Sequence, residues 1–252
     1  MPSTALTEYV YTPDKVNLLV LPKDHRELVE ILTMDAEVLI EDVVEGKTGG
    51  TMILLEGRPG LGKTLLAEVY AEKMEKVLYK IQAGQLGVTP ESVATGIGKV
   101  YENAARWGAV VLLDEADVYI RKRDESMEHN AVVAALLVTF ERQTAITFMA
   151  TNRSDDVDEA IISRCIAVVH FDMPTAEASG QIWRIQANTM DIDLDDGVIE
   201  EMVQHHREKD GGQRATGRDI RALLKLGYRY QKLRDRKVDA ELLKQLGAFK
   251  RL

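Results

Sequence analysis

Eight consecutive residues constrain this chain more than any other part of its 252: Gly57-Arg58-Pro59-Gly60-Leu61-Gly62-Lys63-Thr64. An apolar run, Thr51–Glu56 (TMILLE), leads into them, and a segment with helical patterning, Thr64–Lys76, leads out. The spacing is a glycine, four free positions, then Gly-Lys-Thr, between a strand and a helix. Glycines let a backbone curl until several N–H groups face one anion. A helix starting near Lys63 adds its own free amides and the positive end of its dipole. The segment therefore reads as a phosphate-binding loop. Lys63 is placed to neutralise β- and γ-phosphates, and Thr64 offers a hydroxyl to Mg²⁺. The whole stretch Gly57 to Leu65 (Gly57, Arg58, Pro59, Gly60, Leu61, Gly62, Lys63, Thr64, Leu65) is the predicted ATP-binding element.

The loop sits in a strand–helix alternation. Val77–Ala83, Ala109–Leu113, Ala145–Ala150 and Ile166–Phe171 read as further strands, most of them apolar nearly throughout, as strands covered on both faces are. Pro90–Trp107, Asn130–Arg142 and Asp156–Arg164 read as helices between them. This predicts an α/β fold with helices on both faces of a parallel sheet. After Pro174 only helical periodicity remains: Ala176–Met190, Asp195–His206, Gly217–Arg234 and Asp239–Lys250, with Asp195 and Asp239 as N-caps. Lys209–Thr216 is polar and Gly-rich and reads as a loop. The expected division is 1–50 as a lead-in containing one amphipathic helix at Asp24–Leu39, 51–173 as the large α/β domain, and 174–252 as a small helical domain.

The strand Ala109–Leu113 delivers Asp114 and Glu115 at its C-terminal end, where open α/β sheets bind ligands. Alone, these acids would serve equally as caps for the next helix. With the phosphate loop upstream, Asp114 is expected to hold Mg²⁺, with Thr64 as the other metal ligand. Glu115 is expected to orient and deprotonate the attacking water. Asp117 reads as a solvated or capping residue. A further apolar strand ends at Asn152, whose amide both donates and accepts, so it suits holding that water and sensing the γ-phosphate. Arg164 follows at the end of a short helix and is, by itself, an ordinary surface charge.

In this order, the phosphate loop, Asp114-Glu115, Asn152, Arg164 and a helical segment with Gly217-Arg218-Asp219-Ile220 resemble the AAA+ ATPases, specifically the AAA module of their remodelling and unfolding branch. The segment from Arg106-Trp107-Gly108 through Glu115-Ala116-Asp117, followed by Arg121-Lys122-Arg123, is similar to AAA proteins of fungal and phage type. The resemblance covers residues 15 to 250 or so. It implies a P-loop NTPase sheet of strand order 5-1-4-3-2 with an all-helical lid. It implies Walker A at Gly57–Thr64, Walker B at Asp114-Glu115, sensor 1 at Asn152, an arginine finger at Arg164 acting on the neighbouring subunit's ATP, and a sensor-2 position at Arg218. Catalysis would then fall to Glu115, Asn152, Arg164 and Lys63, with ATP and Mg²⁺ as cofactors and the adenine between the lid and Leu18–Leu21. It further implies a homo-oligomer, a hexameric ring, that remodels a protein or protein complex, reached directly or through an adaptor. The alternative is a motor or loader acting on nucleic acid.

Two features depart from that pattern. The loop after the second strand, Ala83-Gly84-Gln85-Leu86-Gly87-Val88-Thr89-Pro90, lacks the aromatic residue with which ring unfoldases grip a polypeptide, leaving Leu86 and Val88 for that task. Cys165 follows Arg164 where a second arginine is common. A net charge of −9 argues against a surface that is basic all over, although Lys225–Lys237 concentrates six cations in a stretch read as a solvated helix face. The single cysteine, Cys165, excludes an internal disulfide and points to a reducing, cytoplasmic compartment. No apolar run approaches the ~20 residues needed to span a bilayer. His205-His206 reads as solvated or capping, and Cys165, Trp107 and Trp183 as packing residues.

Overall fold

The computed structural model describes residues 9–33, 50–209, 215–234 and 237–249. A 3-10 turn at Pro13–Leu18 and helix α1 (Lys23–Thr33) open the chain. The expected continuation of that helix to Leu39, most of the loop 209–216, and the chain ends lie outside the described residues. The α/β part then runs β1 (Met52–Gly57), α2 (Lys63–Lys73), β2 (Leu78–Gln82), α3 (Pro90–Trp107), β3 (Val110–Asp114), α4 (Asp117–Ile120), α5 (Met127–Phe140), β4 (Thr147–Thr151), α6 (Glu159–Ile162) and β5 (Ala167–Phe171). Four helices follow: α7 (Ala176–Thr189), α8 (Asp196–Lys209), α9 (Gly217–Arg234) and α10 (Ala240–Ala248).

The five strands form one sheet in the order β2-β3-β4-β1-β5, with every pairing parallel. This is the predicted order read from the other edge. Alternate residues of each central strand feed opposite faces. Leu54, Val111, Leu113 and Met149 pack against α3 and α5 through Ile97, Val100 and Leu136. Ile53, Leu55, Leu112 and Phe148 pack against α2 through Leu66, Val69 and Tyr70, with Leu19 from the lead-in closing that side. Burial on both faces is why the strands read as continuous apolar runs. Each fully buried Leu or Ile contributes about 1.5–3 kcal/mol.

Local sequence sets the element ends. Thr89 and Ser92 form a reciprocal capping box at the start of α3, Pro90 occupies its first turn, and Gly108 ends it in the left-handed region at φ 61°. Asp239 caps α10 by accepting from the Leu242 N–H at 2.8 Å. The last four helices enclose their own apolar cluster around Trp183, Ile220, Leu223, Leu224 and Leu243. His206, expected in solvent or at a helix end, is instead buried there. Its Nδ1 lies 2.8 Å from the Met202 carbonyl oxygen and its ring lies beside Trp183. Trp183 is fully buried, whereas Trp107 is half exposed and meets Tyr79 edge-on.

The lead-in is fastened to α2. The Glu72 carboxylate accepts hydrogen bonds from the Tyr9 hydroxyl, the Thr12 N–H at 2.8 Å and the Lys15 ammonium at 2.5 Å. The connection after β2 is a 3-10 turn, Ala83–Leu86, in which Leu86 is 6% exposed and packs into the core. The Tyr119 hydroxyl donates to the Gly87 carbonyl and holds the turn down. The expectation that Leu86 offers a grip to a polypeptide is therefore corrected, because its side chain is spent on packing. Val88, at 78% exposure, is the one of the pair left in solvent.

Candidate functional site

Parallel strands put all their C-terminal ends on one edge, so β1, β3 and β4 deliver Gly57, Asp114 and Thr151-Asn152 side by side. The loop after β1 turns sharply: Gly60 has φ 86° and Gly62, preceding α2, φ 106°. A Cβ on Gly60 would come within 2.7 Å of Thr216 Oγ1 and 3.0 Å of the Arg218 Cβ, so this glycine lets the start of α9 sit directly on the loop. Nothing lies within 4 Å of where a Gly62 Cβ would be, so the loop's face is open there.

Lys63 is 7% exposed and its ammonium donates to the carbonyls of Gly57 (2.6 Å) and Arg58 (2.9 Å) and to Asn152 Oδ1 (2.9 Å). Burial lowers its pKa; Asp114 and Asp117 oppose that shift and Arg218 adds to it. Thr64 Oγ1 donates to Asp114 Oδ2 at 3.3 Å. Glu115 is exposed and sits in the left-handed region at φ 56°, uncommon for a residue with a side chain. Leu65, 38% exposed, faces outward in the first turn of α2. Beside the loop a cavity of about 190 Å³ is lined by Gly57, Arg58, Leu61, Asn152, His170 and Phe171. Below Leu61 the lead-in contributes buried Leu19 and partly buried Leu21, while Leu18 is 41% exposed.

Six of the residues singled out in the sequence thus converge: Lys63, Thr64, Asp114 and Asn152 by direct contact, Glu115 next in the chain, and Arg218 against Gly60. Arg164 does not join them. It precedes β5, whose first residue Ala167 pairs with Ile53 while its last, Phe171, pairs with Gly57. Four strand rises of ~3.3 Å, about 13 Å, separate those levels. Arg164 therefore lies at the opposite edge of the sheet, 31% exposed, held by the Glu141 carboxylate and the Ala160 carbonyl.

Sequence reasoning missed three contacts. Lys80 of β2 pairs with Asp114 Oδ2 at 2.9 Å, from a strand with no motif of its own. Asp117, expected in solvent or as a cap, accepts from the backbone N–H of Asn152 at 3.1 Å. His170, to which no sequence motif draws attention, stands between Glu56 (3.2 Å) and Asp172 (3.4 Å). Cys165 behaves as expected: burial pushes its thiol pKa up to about 12, which denies it a nucleophile's role. Among the described residues no cluster of three or more His, Cys, Asp or Glu is arranged for a metal, and no helix is long and apolar enough to cross a membrane.

Comparison with known proteins agrees with this architecture. Residues 53–173 match the family model of the "ATPase family associated with various cellular activities (AAA)". An uncharacterised AAA family ATPase, y4kL of Sinorhizobium fredii, is 33% identical over 153 residues, 57% of this chain and 45% of that protein. The ATP-dependent zinc metalloprotease FtsH 3 of Sphaerobacter thermophilus is 32% identical over 160 residues, 57% of this chain and 32% of its own length. Among solved structures, a point variant of Thermotoga maritima RuvB superposes with a TM-score of 0.63 at 21% identity, covering 90% of this chain and 67% of that one. The chain carries an AAA ATPase domain at residues 53–173, and the cofactors of such a domain are ATP and Mg²⁺. It spans less than half the length of these two curated relatives.

The donor set fits those cofactors. A threonine hydroxyl and a carboxylate 3.3 Å apart are hard oxygen ligands of the kind Mg²⁺ accepts. An ammonium held at the loop by the Gly57 and Arg58 carbonyls and Asn152 Oδ1 is a charge suited to a triphosphate.

Proposed function

We propose that the chain hydrolyses ATP within a ring of its own copies, six in number, and uses the cycle to remodel a protein or protein complex. The observation that carries this reading is the separation of Arg164 from its own phosphate loop. An arginine about 13 Å of strand away serves no purpose in the site of its own subunit. At the sheet's opposite edge it reaches a neighbour's site by giving up its pairing with Glu141, and there a finger of this kind contributes about 10³–10⁵ in rate.

Within one subunit the roles follow from position. Lys63 neutralises the phosphates, Thr64 and Asp114 hold the metal, and Mg²⁺ when bound draws off the charge that develops on the transferred group. Glu115 holds and deprotonates the attacking water. Asn152, bonded to Lys63, orients that water and registers the γ-phosphate. Arg218, against Gly60, couples the lid to the loop. The proposed domain division is 1–50, 51–173 and 174–252, the proposed setting cytoplasmic. A protein substrate is supported by likeness to a relative named as a protease. With Leu86 buried, a threaded chain would meet Val88 alone at this turn, so engagement of the target at the ring surface or through an adaptor is the favoured form.

A motor or loader acting on nucleic acid is the second reading. It is favoured by α9, which exposes Arg221, Lys225, Arg229 and Lys232 with Tyr228 beneath Lys232, none of the four cations having an acidic partner among the described residues. Turnover stimulated by DNA with a steep salt dependence would select it.

The test is specific activity against protein concentration. We expect a steep rise as subunits assemble, and a drop of about 10³–10⁵ in assembled Arg164→Ala. A rate per subunit that is the same at every dilution would remove the finger in trans.

A further inference from the structure

The β3–β4 ladder is regular from Val111↔Thr147 to Leu113↔Met149 and then meets Glu115, whose positive φ breaks the strand. The pairing does not end there. The Ala116 N–H donates to the Ala150 carbonyl at 2.9 Å, which resumes the ladder beyond the break. The next donor on β4's side is the Asn152 N–H, and no backbone carbonyl of α4 faces it. The Asp117 carboxylate takes that place, with Oδ1 at 3.1 Å. A side chain thus supplies the last rung of the sheet at the level where the chemistry is done.

That rung lies within one residue of two functional groups. Asn152 passes from the Asp117 contact at its backbone to Lys63 at its side-chain oxygen, 2.9 Å from the ammonium. Two residues before Asp117, Glu115 is kept in its uncommon conformation by bonds on both sides. Its own N–H donates to Asp114 Oδ1 at 3.1 Å, and Ala116 is tied to β4. Left-handed backbone at a non-glycine residue is strained and persists only where its surroundings hold it. The far end of α4 is pinned as well, by the Asp158 N–H on the Ile120 carbonyl at 2.8 Å. The short helix is therefore a strut between the ends of β3 and β4, and Asp117 is its fixing at the site.

We propose that Asp117 is a positioning residue that sets Asn152 in register with Glu115 and Lys63, so that the water held by one is met by the base on the other. This rests on the roles given to Glu115 and Asn152 above. Its action is through the Asn152 amide and not through contact with nucleotide.

The experiment compares Asp117→Ala, Asp117→Asn and Asn152→Ala in the full chain at a concentration that saturates assembly. It measures kcat, the Mg·ATP dissociation constant and hydrogen exchange at the Asn152 amide. An asparagine oxygen accepts the same bond, so Asp117→Asn should stay within about threefold of the parent on all counts. Asp117→Ala should lose about 10- to 100-fold in kcat, the cost of one such bond. Its dissociation constant should move less than about threefold while exchange at Asn152 quickens. Parental kcat in Asp117→Ala, or equal damage in both Asp117 variants, overturns the proposal. Should the alanine variant not fold, unprotected exchange at Asn152 in folded Asp117→Asn does so too. If Asn152→Ala turns over at the parental rate, the reading of Asn152 itself is wrong. If Asn152→Ala is slow and Asp117→Ala is not, only the positioning role falls.

Discussion

Helix α2 joins two carboxylate regions that differ in one respect. At its far end Glu72 has its oxygens filled by Tyr9, the Thr12 amide and Lys15. At its near end Asp114 is also bonded at both oxygens, by Thr64 and Lys80 on one and the Glu115 N–H on the other, but the Glu115 carboxylate has no hydrogen-bond or ion-pair partner among the described residues. Burial raises the Glu72 pKa, but the Lys15, Tyr9 and Thr12 bonds outweigh it and bring it down to about 2. A saturated carboxylate is a fastener, because every change of partner costs it a bond. An unpartnered one at a sheet edge, as Glu115 is, is free to take on water. One isosteric edit separates the two.

The largest effect belongs to Glu115→Gln. Turnover should fall by about 10²–10⁴, the usual contribution of a general base, with Mg·ATP still bound and folding stability within about 0.5 kcal/mol of the parent. Steady-state hydrolysis beside a urea melt checks both halves, and a large loss of stability would place Glu115 with the fasteners. The turn after β2 comes next, since it was expected on the functional side of the comparison and folds on the structural one. Leu86→Ala should cost about 2–4 kcal/mol in unfolding free energy, the price of an emptied core position. Val88→Ala should cost under about 0.5 kcal/mol. Equal, small costs at the two positions would return Leu86 to the surface.

That turn also marks where the sequence stops being readable. The phosphate loop, the strand order implied by its family, and Asp114, Glu115 and Asn152 at strand ends were legible because each is a local pattern: glycines and a lysine at fixed spacing, or an apolar run ending in one polar residue. Leu86 lies between two glycines, and nothing local says that Tyr119, thirty-two residues on from Gly87, holds that turn against the core. Asp117 and Lys80 depend on parallel pairing between strands far apart in the chain, so their partners Asn152 and Asp114 are set by register, not spacing. His206 has an unremarkable sequence context, and its burial follows from how α8 packs on Trp183.

The smallest effect tests the fastener directly. Glu72→Gln keeps one acceptor but turns an NH₂ toward donors, and should cost about 1–2 kcal/mol of stability with no change in turnover per folded subunit. Its signature is in the pH dependence. Glu72 has a folded pKa near 2 against an ordinary value of 4.5. The unfolded chain therefore binds the proton first as pH falls. The stabilisation is complete above about pH 4.5, declines below it, and is gone once pH has passed through about 2. Asp158 works in the same direction. Burial raises its pKa, but bonds from the Ala160 N–H and from Arg123 outweigh that and lower it. Urea midpoints taken from pH 6 down to pH 3 should therefore fall in the parent and fall less steeply, though not flatten, in Glu72→Gln. Parallel curves for the two proteins would mean that the lead-in is not held by this carboxylate, and the contrast between the two ends of α2 would be lost.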